Sequence, residues 1–237
     1  MKIISWNCNM AFRNKKEILN QFNPDIVVLQ ECESEEVLNN KKSKIDYESH
    51  IWFGKNKNKG IGVMSFNGFK LELLDHNTEF QYILPIKVFN DKQEFFMLAI
   101  WTQLINKEIY ISYVVQATRA FKYYQELLKK DNIIIVGDFN SSAVWDNESP
   151  KEYNHSEMVS ILNEQNIVSV YHLLNHEKHG EEKTPTLYFT RNINKTYHID
   201  YIFMKEKMTK NIKSFFIGKH EEYIGLSDHM PLFMELY

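Results

Sequence analysis

The chain has 237 residues, of which 43% are hydrophobic, and its formal net charge is −3. This length predicts a single layered domain over residues 1–237 with enough apolar material for a large core. The slightly acidic balance excludes a basic protein that coats nucleic acid without specificity. It does not exclude an enzyme that acts on nucleic acid, because a bound divalent metal supplies positive charge at the phosphate.

Cysteine usage and hydropathy favour a cytoplasmic protein that does not insert into a membrane. No apolar run approaches the roughly 18 residues needed to span a bilayer, and no leader pattern is visible. The two cysteines, Cys8 and Cys32, are typical of buried free thiols in a reducing compartment, although a disulfide between them is left open. The oligomeric state is not indicated by any sequence feature.

Two strand–helix units are predicted at the start of the chain. A strand is expected over Lys2–Asn7 and a helix over Lys15–Phe22, with Asn14 as its cap. The apolar run Ile26–Gln30 indicates a second buried strand, and Glu31 stands at its end. A short helix and an exposed loop are expected between residues 33 and 44.

Antiparallel strands and one long helix are predicted next. The lysine-rich segment 55–60 indicates a solvated hairpin loop, with a contact to a phosphate backbone as the alternative reading. Successive strands are expected over Gly62–Phe66, Phe69–Leu74, Ile83–Phe89 and Phe95–Thr102. The apolar period then changes to helical spacing, which predicts one helix over Ser112–Lys130.

The segment Ile133–Asn140 combines a strand with polar side chains at its end. Its β-branched first half is typical of a strand buried on both faces, and Gly137 permits a tight turn. Asp138 and Asn140 follow two residues apart and would point into the same cleft, because ligands collect beyond the carboxyl ends of such strands. An ordinary Asp/Asn turn without chemistry is the alternative reading.

The last third of the chain is expected to alternate between loops, one helix and short strands. Ser141–Asn154 is predicted to be a polar loop, His155–Gln165 a helix, and residues 175–184 an exposed charged segment. The strands expected here are Ile167–Leu174, Thr186–Thr190, Tyr197–Met204, Ile212–Gly218 and Met230–Leu236. Strands before, between and after helices indicate an α/β sandwich with mixed sheets.

Polar groups recur at five predicted strand ends. They are Asn7, Glu31, Asp138 with Asn140, Asp200, and Asp228 with His229. A cleft so rich in carboxylates is unfavourable without a cation, because like charges close together disfavour joint ionisation. Oxygen ligands indicate Mg²⁺ or Mn²⁺ rather than zinc.

These residues stand in motifs that resemble a known superfamily. The motifs are Trp6-Asn7, Gln30-Glu31, Gly137-Asp138-Phe139-Asn140, His198-Ile199-Asp200-Tyr201-Ile202 and Ser227-Asp228-His229-Met230-Pro231-Leu232. In this order they resemble the endonuclease/exonuclease/phosphatase superfamily of exonuclease III-like and deoxyribonuclease I-like phosphoesterases. The resemblance implies a four-layered α/β/β/α sandwich with two central mixed β-sheets, and metal-dependent hydrolysis of phosphoric esters.

The resemblance also implies a role for each metal-binding candidate. Glu31 resembles the principal ligand of Mg²⁺ or Mn²⁺. Asn7 resembles a residue that holds the metal or its water. Asp228 resembles either a second metal ligand or the group that orients His229.

Four further residues resemble the catalytic set of the superfamily. Asp138 resembles the group that aligns and deprotonates the attacking water, and Asn140 resembles a donor to the phosphate. Asp200 resembles the aspartate near the metal or the leaving group. His229 resembles a phosphate-binding imidazole, and nearby carboxylates would favour its charged form.

The chain departs from the superfamily pattern at two positions. Many relatives have His or Tyr where this chain has Trp101, so Tyr113 and His155 are candidates for the missing group. DNA-repair members often have Arg where this chain has His198. Trp101 and Trp145 are candidates for stacking on a base, with core packing as the alternative reading, and the substrate is left open.

The sequence therefore predicts a divalent-metal-dependent phosphodiesterase that hydrolyses nucleic acid as an endo- or exonuclease. A phosphatase acting on a small phosphorylated molecule is the enzymatic alternative. A catalytically silent binding module is the non-enzymatic alternative.

Overall fold

A computed structural model describes residues 1–39, 44–104 and 113–237 of the chain. The strands are β1 Lys2–Asn7, β2 Ile26–Cys32, β3 Ser49–Asn56, β4 Lys59–Ser65, β5 Lys70–Leu73, β6 Ile83–Phe89, β7 Glu94–Trp101, β8 Ile133–Asp138, β9 Ile167–Ser169, β10 Leu187–Tyr188, β11 Thr196–Tyr197, β12 Asp200–Lys205, β13 Ile212–Ile217 and β14 Leu232–Leu236. The helices are α1 Glu17–Phe22, α2 Glu35–Leu38, α3 Tyr113–Tyr123, α4 Gln125–Leu128, α5 His155–Asn163, α6 Val170–Asn175 and α7 His220–Tyr223.

Two six-stranded sheets form the centre of the molecule. The first has the strand order β13-β14-β1-β2-β4-β3 and the second has the order β5-β6-β7-β8-β12-β9. Each sheet is mixed, because β1–β2 and β7–β8 are parallel while the other neighbouring pairs are antiparallel. β10 and β11 form a separate two-stranded ribbon.

Alternating side chains give each sheet two apolar faces. On β8, Ile134 and Val136 enter the core between the sheets, whereas Ile133 and Ile135 pack against α3 and α5. The side chains of β2 alternate in the same way. One set enters the core between the sheets, and the other set packs with residues of α1 and α2 in a separate core. Since a strand's side chains alternate with period two, buried strands of this kind need cover on both sides. The result is the predicted four-layered α/β/β/α sandwich.

The N-terminal half contains two departures from the predicted elements. Asn14 ends a short 3₁₀ turn and does not cap the first helix, which begins at Glu17 after Lys16 without a side-chain cap. Ser49–Asn56 forms a strand that the sequence did not predict. β3 is an edge strand with half-buried positions, so it lacks a clear apolar alternation. Its pairing with β4 reduces the predicted loop over residues 55–60 to a tight turn after Asn56.

Two further departures concern a helix and a strand. The predicted helix Ser112–Lys130, whose first residue lies outside the described ranges, is divided at Tyr124 into α3 and α4. The Tyr124 backbone leaves helical geometry with φ −87° and ψ 24°, and the Tyr124 hydroxyl accepts a hydrogen bond from the Asn77 backbone N–H at 2.9 Å. Ile167–Leu174 is a strand over its first three residues alone, because these pair with β12 and the chain then turns into α6.

The C-terminal strands are shorter than predicted. Thr186–Thr190 reduces to β10, and Tyr197–Met204 divides into β11 and β12. The segment 175–184 is not wholly exposed, because the Glu182 side chain is 4% exposed and bonded to α6. Among the residues of the three described ranges, none of the helices has the length and apolar character needed to cross a bilayer.

Candidate active site

Asn7 and Asp138 join the two sheets at the carboxyl ends of β1 and β8. Asn7 Nδ2 donates to Asp138 Oδ2 at 2.9 Å, and both side chains are buried. The other carboxylate oxygen of Asp138 accepts the Asn140 backbone N–H at 2.9 Å. Gly137 makes this approach feasible, since its φ is +144° and an added Cβ would lie 1.9 Å from the Ile100 carbonyl oxygen. Asp138 is therefore held rigidly where the sheets meet.

Asp200 faces Asp138 directly across the antiparallel β8–β12 ladder. Its backbone N–H donates to Thr186 Oγ1 at 3.0 Å, which anchors the first residue of β12. His229 Nδ1 donates to Asp200 Oδ2 at 2.9 Å, and this buried pair leaves the other ring nitrogen, Nε2, for a ligand. A carboxylate–imidazole–carboxylate group thus spans both sheets.

The 227–229 loop is tied to β1 by Ser227. Its hydroxyl donates to the Asn7 carbonyl oxygen at 2.7 Å and accepts the His229 backbone N–H at 3.0 Å. Trp6 Nε1 donates to the His229 carbonyl oxygen at 2.9 Å. The bonds from Ser227 and Trp6 join residues more than 200 positions apart in sequence, and together the three bonds fix the His229 loop against the first sheet.

The pKa values of Asp138 and His229 are both raised, but for different reasons. Burial, reinforced by the negative charge of Asp200, raises the pKa of Asp138 to about 7. Burial alone would lower the pKa of His229, but the carboxylates of Asp200 and Asp138 raise it to about 10. The site thus pairs an imidazolium with a carboxyl group that can exchange a proton near neutral pH.

Glu31 occupies an irregular position in β2. Its φ is +59°, and the register of β2 against β4 shifts between Gln30 and Cys32. A bulge of this kind redirects a side chain away from the regular alternation. Glu31 Oε2 forms an ion pair with Lys59 Nζ at 3.0 Å, and the Glu31 side chain is 20% exposed. Lys59 also lies 5.6 Å from the centroid of the Trp101 ring.

The sequence left two roles open for Asp228, and the structure does not support the role of orienting His229. Asp228 Oδ1 accepts a hydrogen bond from Asn9 Nδ2 at 3.3 Å, and Asp200 orients the imidazole instead. Asp228 is half-buried, which leaves it free for the alternative role of a metal ligand. Asn140 lies beside Asp138, with its Nδ2 donating to the Thr102 carbonyl oxygen at 3.1 Å.

The four substrate-binding candidates separate into two groups. Trp101 is 3% exposed and packs on Tyr82, so it offers no open face for stacking on a base. Tyr113, Trp145 and His155 instead line a cavity of about 110 Å³ together with Asn140.

The contacts of these three residues differ in kind. Trp145 packs against Tyr197 with ring centroids 4.8 Å apart and an interplanar angle of 43°, so part of its surface is already covered. Burial raises the pKa of Tyr113, with a further contribution from the Asp138 charge. His155 is buried and bonds to Ser141 Oγ at 3.0 Å, one residue beyond Asn140.

Three site residues had escaped the sequence reasoning. Thr186 had no signal beyond its position in a predicted strand. Ser227 stands inside a recognised motif, but its bond to Asn7 is a tertiary contact. Lys59 had been assigned to a solvated loop, although it contacts Glu31. His198, where DNA-repair relatives often have Arg, is buried and bonds through Nδ1 to the Thr184 carbonyl oxygen at 2.8 Å.

The donor set fits a hard divalent cation. Carboxylate oxygens of Asp138 and Asp200 lie within 4.8 Å of each other, beside His229, whose imidazolium form donates and does not bind a metal. Burial is the main cause of the raised pKa of Asp138, and the charge of Asp200 adds to it; a nearby dication would favour the carboxylate form. Glu31 and Asp228 add carboxylates that are less buried. Carboxylate oxygens are the ligands that Mg²⁺ and Mn²⁺ prefer.

Comparison with solved structures shows the same fold in several nucleases. An AP endonuclease from Archaeoglobus fulgidus superposes with a TM-score of 0.74 at 17% identity, covering 100% of this chain and 99% of that one. The endonuclease domain of TRAS1, a telomere-specific non-LTR retrotransposon, gives 0.68 at 14% identity, covering 99% and 97%. The 3′-5′ exonuclease NExo from Neisseria meningitidis gives 0.66 at 19% identity, covering 100% and 99%. No curated protein sequence matches this chain.

The layered fold and the carboxylate–imidazole site define the protein as a phosphoric ester hydrolase with a four-layered α/β/β/α sandwich fold. The profile of the Endonuclease/Exonuclease/phosphatase family matches residues 4–229. The chain therefore belongs to that family, as its ordered motifs predicted.

Proposed function

We propose that the protein is a divalent-metal-dependent phosphodiesterase that hydrolyses nucleic acid. The observation that carries this proposal is the continuous network from Asn7 through Asp138 to the Asp200–His229 pair at one end of both sheets. Structural relatives named as AP endonucleases and as a 3′-5′ exonuclease support nucleic acid as the substrate class. The free buried thiols of Cys8 and Cys32 support a reducing compartment, the cytoplasm.

Glu31 and Asp228 are the residues that would hold Mg²⁺ or Mn²⁺ in this proposal. When bound, the cation polarises the phosphoryl oxygen and neutralises the charge that develops during hydrolysis. The amide of Asn7 donates to Asp138, so we assign Asn7 to the positioning of that carboxylate rather than to direct ligation.

Asp138 is the group that takes the proton of the attacking water. Its pKa of about 7 allows the carboxylate form at neutral pH and makes it a stronger base than an ordinary aspartate. The bonds from Asn7 Nδ2 and the Asn140 N–H hold the carboxylate in one orientation. This arrangement reduces the reorganisation needed when the water is deprotonated.

His229 is the cationic donor to the phosphoryl group. With its pKa raised to about 10, the ring is an imidazolium at neutral pH, and Nδ1 is already bonded to Asp200. Nε2–H is therefore the donor directed to a phosphate oxygen, and it stabilises negative charge there. Asp200 acts through His229 as a positioning residue. Asn140 Nδ2 donates to the Thr102 carbonyl oxygen and to Asp138 Oδ2, at 3.1 Å each, so we assign Asn140 to the positioning of Asp138.

The cavity lined by Tyr113, Trp145 and His155 is assigned to the substrate segment next to the cleaved phosphate. It adjoins Asn140 and measures about 110 Å³, which is smaller than a nucleobase site, so it accommodates only part of one nucleotide. Contact there would add specificity, while the phosphate contacts supply most of the affinity.

Cleavage assays test the proposal with one matched pair of variants. Purified protein is incubated with Mg²⁺ or Mn²⁺ and with single- and double-stranded DNA and RNA, including duplexes with an abasic site. We expect cleavage by the wild type and by Asp131→Asn, whose carboxylate is exposed and paired with Lys207. Asp138→Asn should lose at least about 100-fold in rate, because the amide cannot accept the proton.

A substrate that carries a phosphomonoester tests the enzymatic alternative, a phosphatase. One relative from Neisseria is described as a 3′ phosphatase bound to product DNA hairpin, so a hairpin with a 3′-phosphate is included. Release of inorganic phosphate from that hairpin, or from inositol phosphates, without cleavage of any diester would replace the nuclease assignment with a phosphatase. A folded, metal-binding protein inactive on every substrate would refute both.

A further inference from the structure

A second cluster of ionisable side chains lies beside Tyr201, and of its members only His155 also lines the cavity assigned to the substrate. Its members are His155 on α5, His172 on α6, and His179 and Glu182 on the segment that precedes β10. The side chains of His172 and Glu182 are 9% and 4% exposed. Histidine and glutamate are rarely gathered in this way without a partner that compensates their burial.

Three of these residues converge on one point. His172, His179 and Glu182 each offer a ligand atom within 4.8 Å of those of the other two. His172 Nε2 lies 3.0 Å from Glu182 Oε1, and the Gly180 backbone N–H donates to the same oxygen at 3.0 Å. In a tetrahedral zinc site, bonds of about 2.0–2.1 Å place neighbouring ligand atoms roughly 3.3 Å apart. The His172–Glu182 separation is already close to that spacing.

Hydrogen bonds outside the cluster select the ligating nitrogen of each histidine. His172 Nδ1 lies 2.7 Å from Ser169 Oγ, and Nε2 faces Glu182 Oε1 at 3.0 Å, so a metal would replace the Nε2 proton while Nδ1 keeps its bond to Ser169. His179 Nδ1 lies 3.0 Å from His155 Nε2, and His155 Nδ1 lies 3.0 Å from Ser141 Oγ. A relay of this kind is how outer residues fix the tautomer of a metal-binding imidazole.

One rearrangement is required. The His172 and His179 rings stack with centroids 3.5 Å apart and an interplanar angle of 17°. A metal lies in the plane of each imidazole that binds it, so His179 must tilt out of this stack. Its place on the irregular segment after α6, rather than on a helix or strand, leaves its backbone able to follow.

We propose that His172 Nε2, His179 Nε2 and Glu182 bind one Zn²⁺ ion, with His155 as the hydrogen-bond partner that orients His179. Two imidazoles and one carboxylate favour zinc over Mg²⁺, because imidazole is a softer ligand than oxygen. The ion would fix the segment before β10 to α6. Through His155 and Ser141 it would also support the backbone next to Asn140.

Metal titration of the wild type is the first test. Metal-free protein is held in excess Mg²⁺, which occupies hard oxygen sites, and is titrated with Zn²⁺ or Co²⁺. We expect one equivalent to bind, tetrahedral visible absorption for Co²⁺, and a higher melting temperature with Zn²⁺. In histidine-resolved NMR, the signals of His172 and His179 should move on Zn²⁺ addition while that of His220, on α7, stays unchanged. Absence of uptake, or shifts confined to other histidines, would overturn the proposal.

Variants provide the second test. His179→Gln and Glu182→Gln should each weaken Zn²⁺ binding by at least about tenfold. His176→Gln is the matched control, because His176 lies on the same segment but is exposed. Equal Zn²⁺ stoichiometry and affinity in all three variants would place the ion elsewhere and reject the site. If a variant fails to fold, the wild-type NMR shifts decide the question.

Discussion

Lys59 is expected to compete with the catalytic cation for Glu31. Its Nζ lies 3.0 Å from Glu31 Oε2, and the two side chains are 42% and 20% exposed. A cation that binds Glu31 must displace this ammonium group or accept its repulsion. Replacing Lys59 with Gln removes the charge and leaves a slightly shorter polar side chain, so Mg²⁺ should bind more tightly to Lys59→Gln than to the wild type.

The size of this effect follows from the exposure of the pair. Ion pairs open to solvent contribute about 0.2–1 kcal/mol, because water screens the charges and the side chains lose conformational freedom. Since about 1.4 kcal/mol corresponds to a factor of ten, the Kd for Mg²⁺ should fall by at most about fivefold. The difference should shrink in about 1 M salt, where the screening length is about 3 Å.

Isothermal titration with Mg²⁺ and Mn²⁺, in the absence of substrate, measures the effect directly. Lys57→Gln is the control, since Lys57 lies in the same turn but pairs with the exposed Glu36 at 3.4 Å. Its Kd should match that of the wild type. Equal or weaker metal binding by Lys59→Gln would refute the reasoning and imply that Glu31 does not carry the cation.

Three further substitutions probe the site and the core. Asp200→Asn should bring the pKa of His229 from about 10 down towards its ordinary value, measured by NMR titration of the ring. The stability that this imidazolium contributes is complete below about pH 6.5 and is lost as pH rises through about 10, so in the variant the loss should move to lower pH. Gly137→Ala should lower the free energy of unfolding by at least about 1–3 kcal/mol in urea titrations, because its Cβ would meet the Ile100 carbonyl oxygen. Ile135→Ala should cost about 2–5 kcal/mol in the same assay, since the side chain is fully buried.

The sequence predicted the fold best at runs that are apolar on both faces, because this pattern indicates a strand buried within a sheet. The runs Ile26–Gln30 and Ile133–Val136 are apolar on both faces, and each lies in the middle of its sheet with a core on either side. The edge strand Ser49–Asn56 is half-buried over its first six residues and exposed at its last two, so it shows no apolar alternation and was missed for that reason. The strand predicted over Ile167–Leu174 ends early for another reason. A short apolar segment does not distinguish a strand from a helix, so its tertiary partner decides.

Side-chain partners within the site were harder to predict than its members. Asp228 is the chain neighbour of His229, yet Asp200 makes the bond to its ring from another strand. Lys59 belongs to a lysine-rich turn that looks solvated, and its contact with Glu31 depends on the pairing of β4 with β2. Periodicity reports which face a residue occupies, but it carries no information on which residue of another strand lies opposite.

The two carboxylate–histidine clusters differ in the balance of their ligands, and this difference should sort metals between them. Around Asp138 the donors are mainly carboxylates, and burial together with the charge of Asp200 raises the pKa of Asp138. Around His179 two neutral imidazoles share one carboxylate, Glu182. The first arrangement favours a hard dication such as Mg²⁺, because charge dominates its binding. The second favours zinc, a cation of intermediate softness, because ligand softness dominates its binding. Zinc bound at the second cluster would therefore stabilise the backbone beside Asn140 without displacing the cation at Glu31.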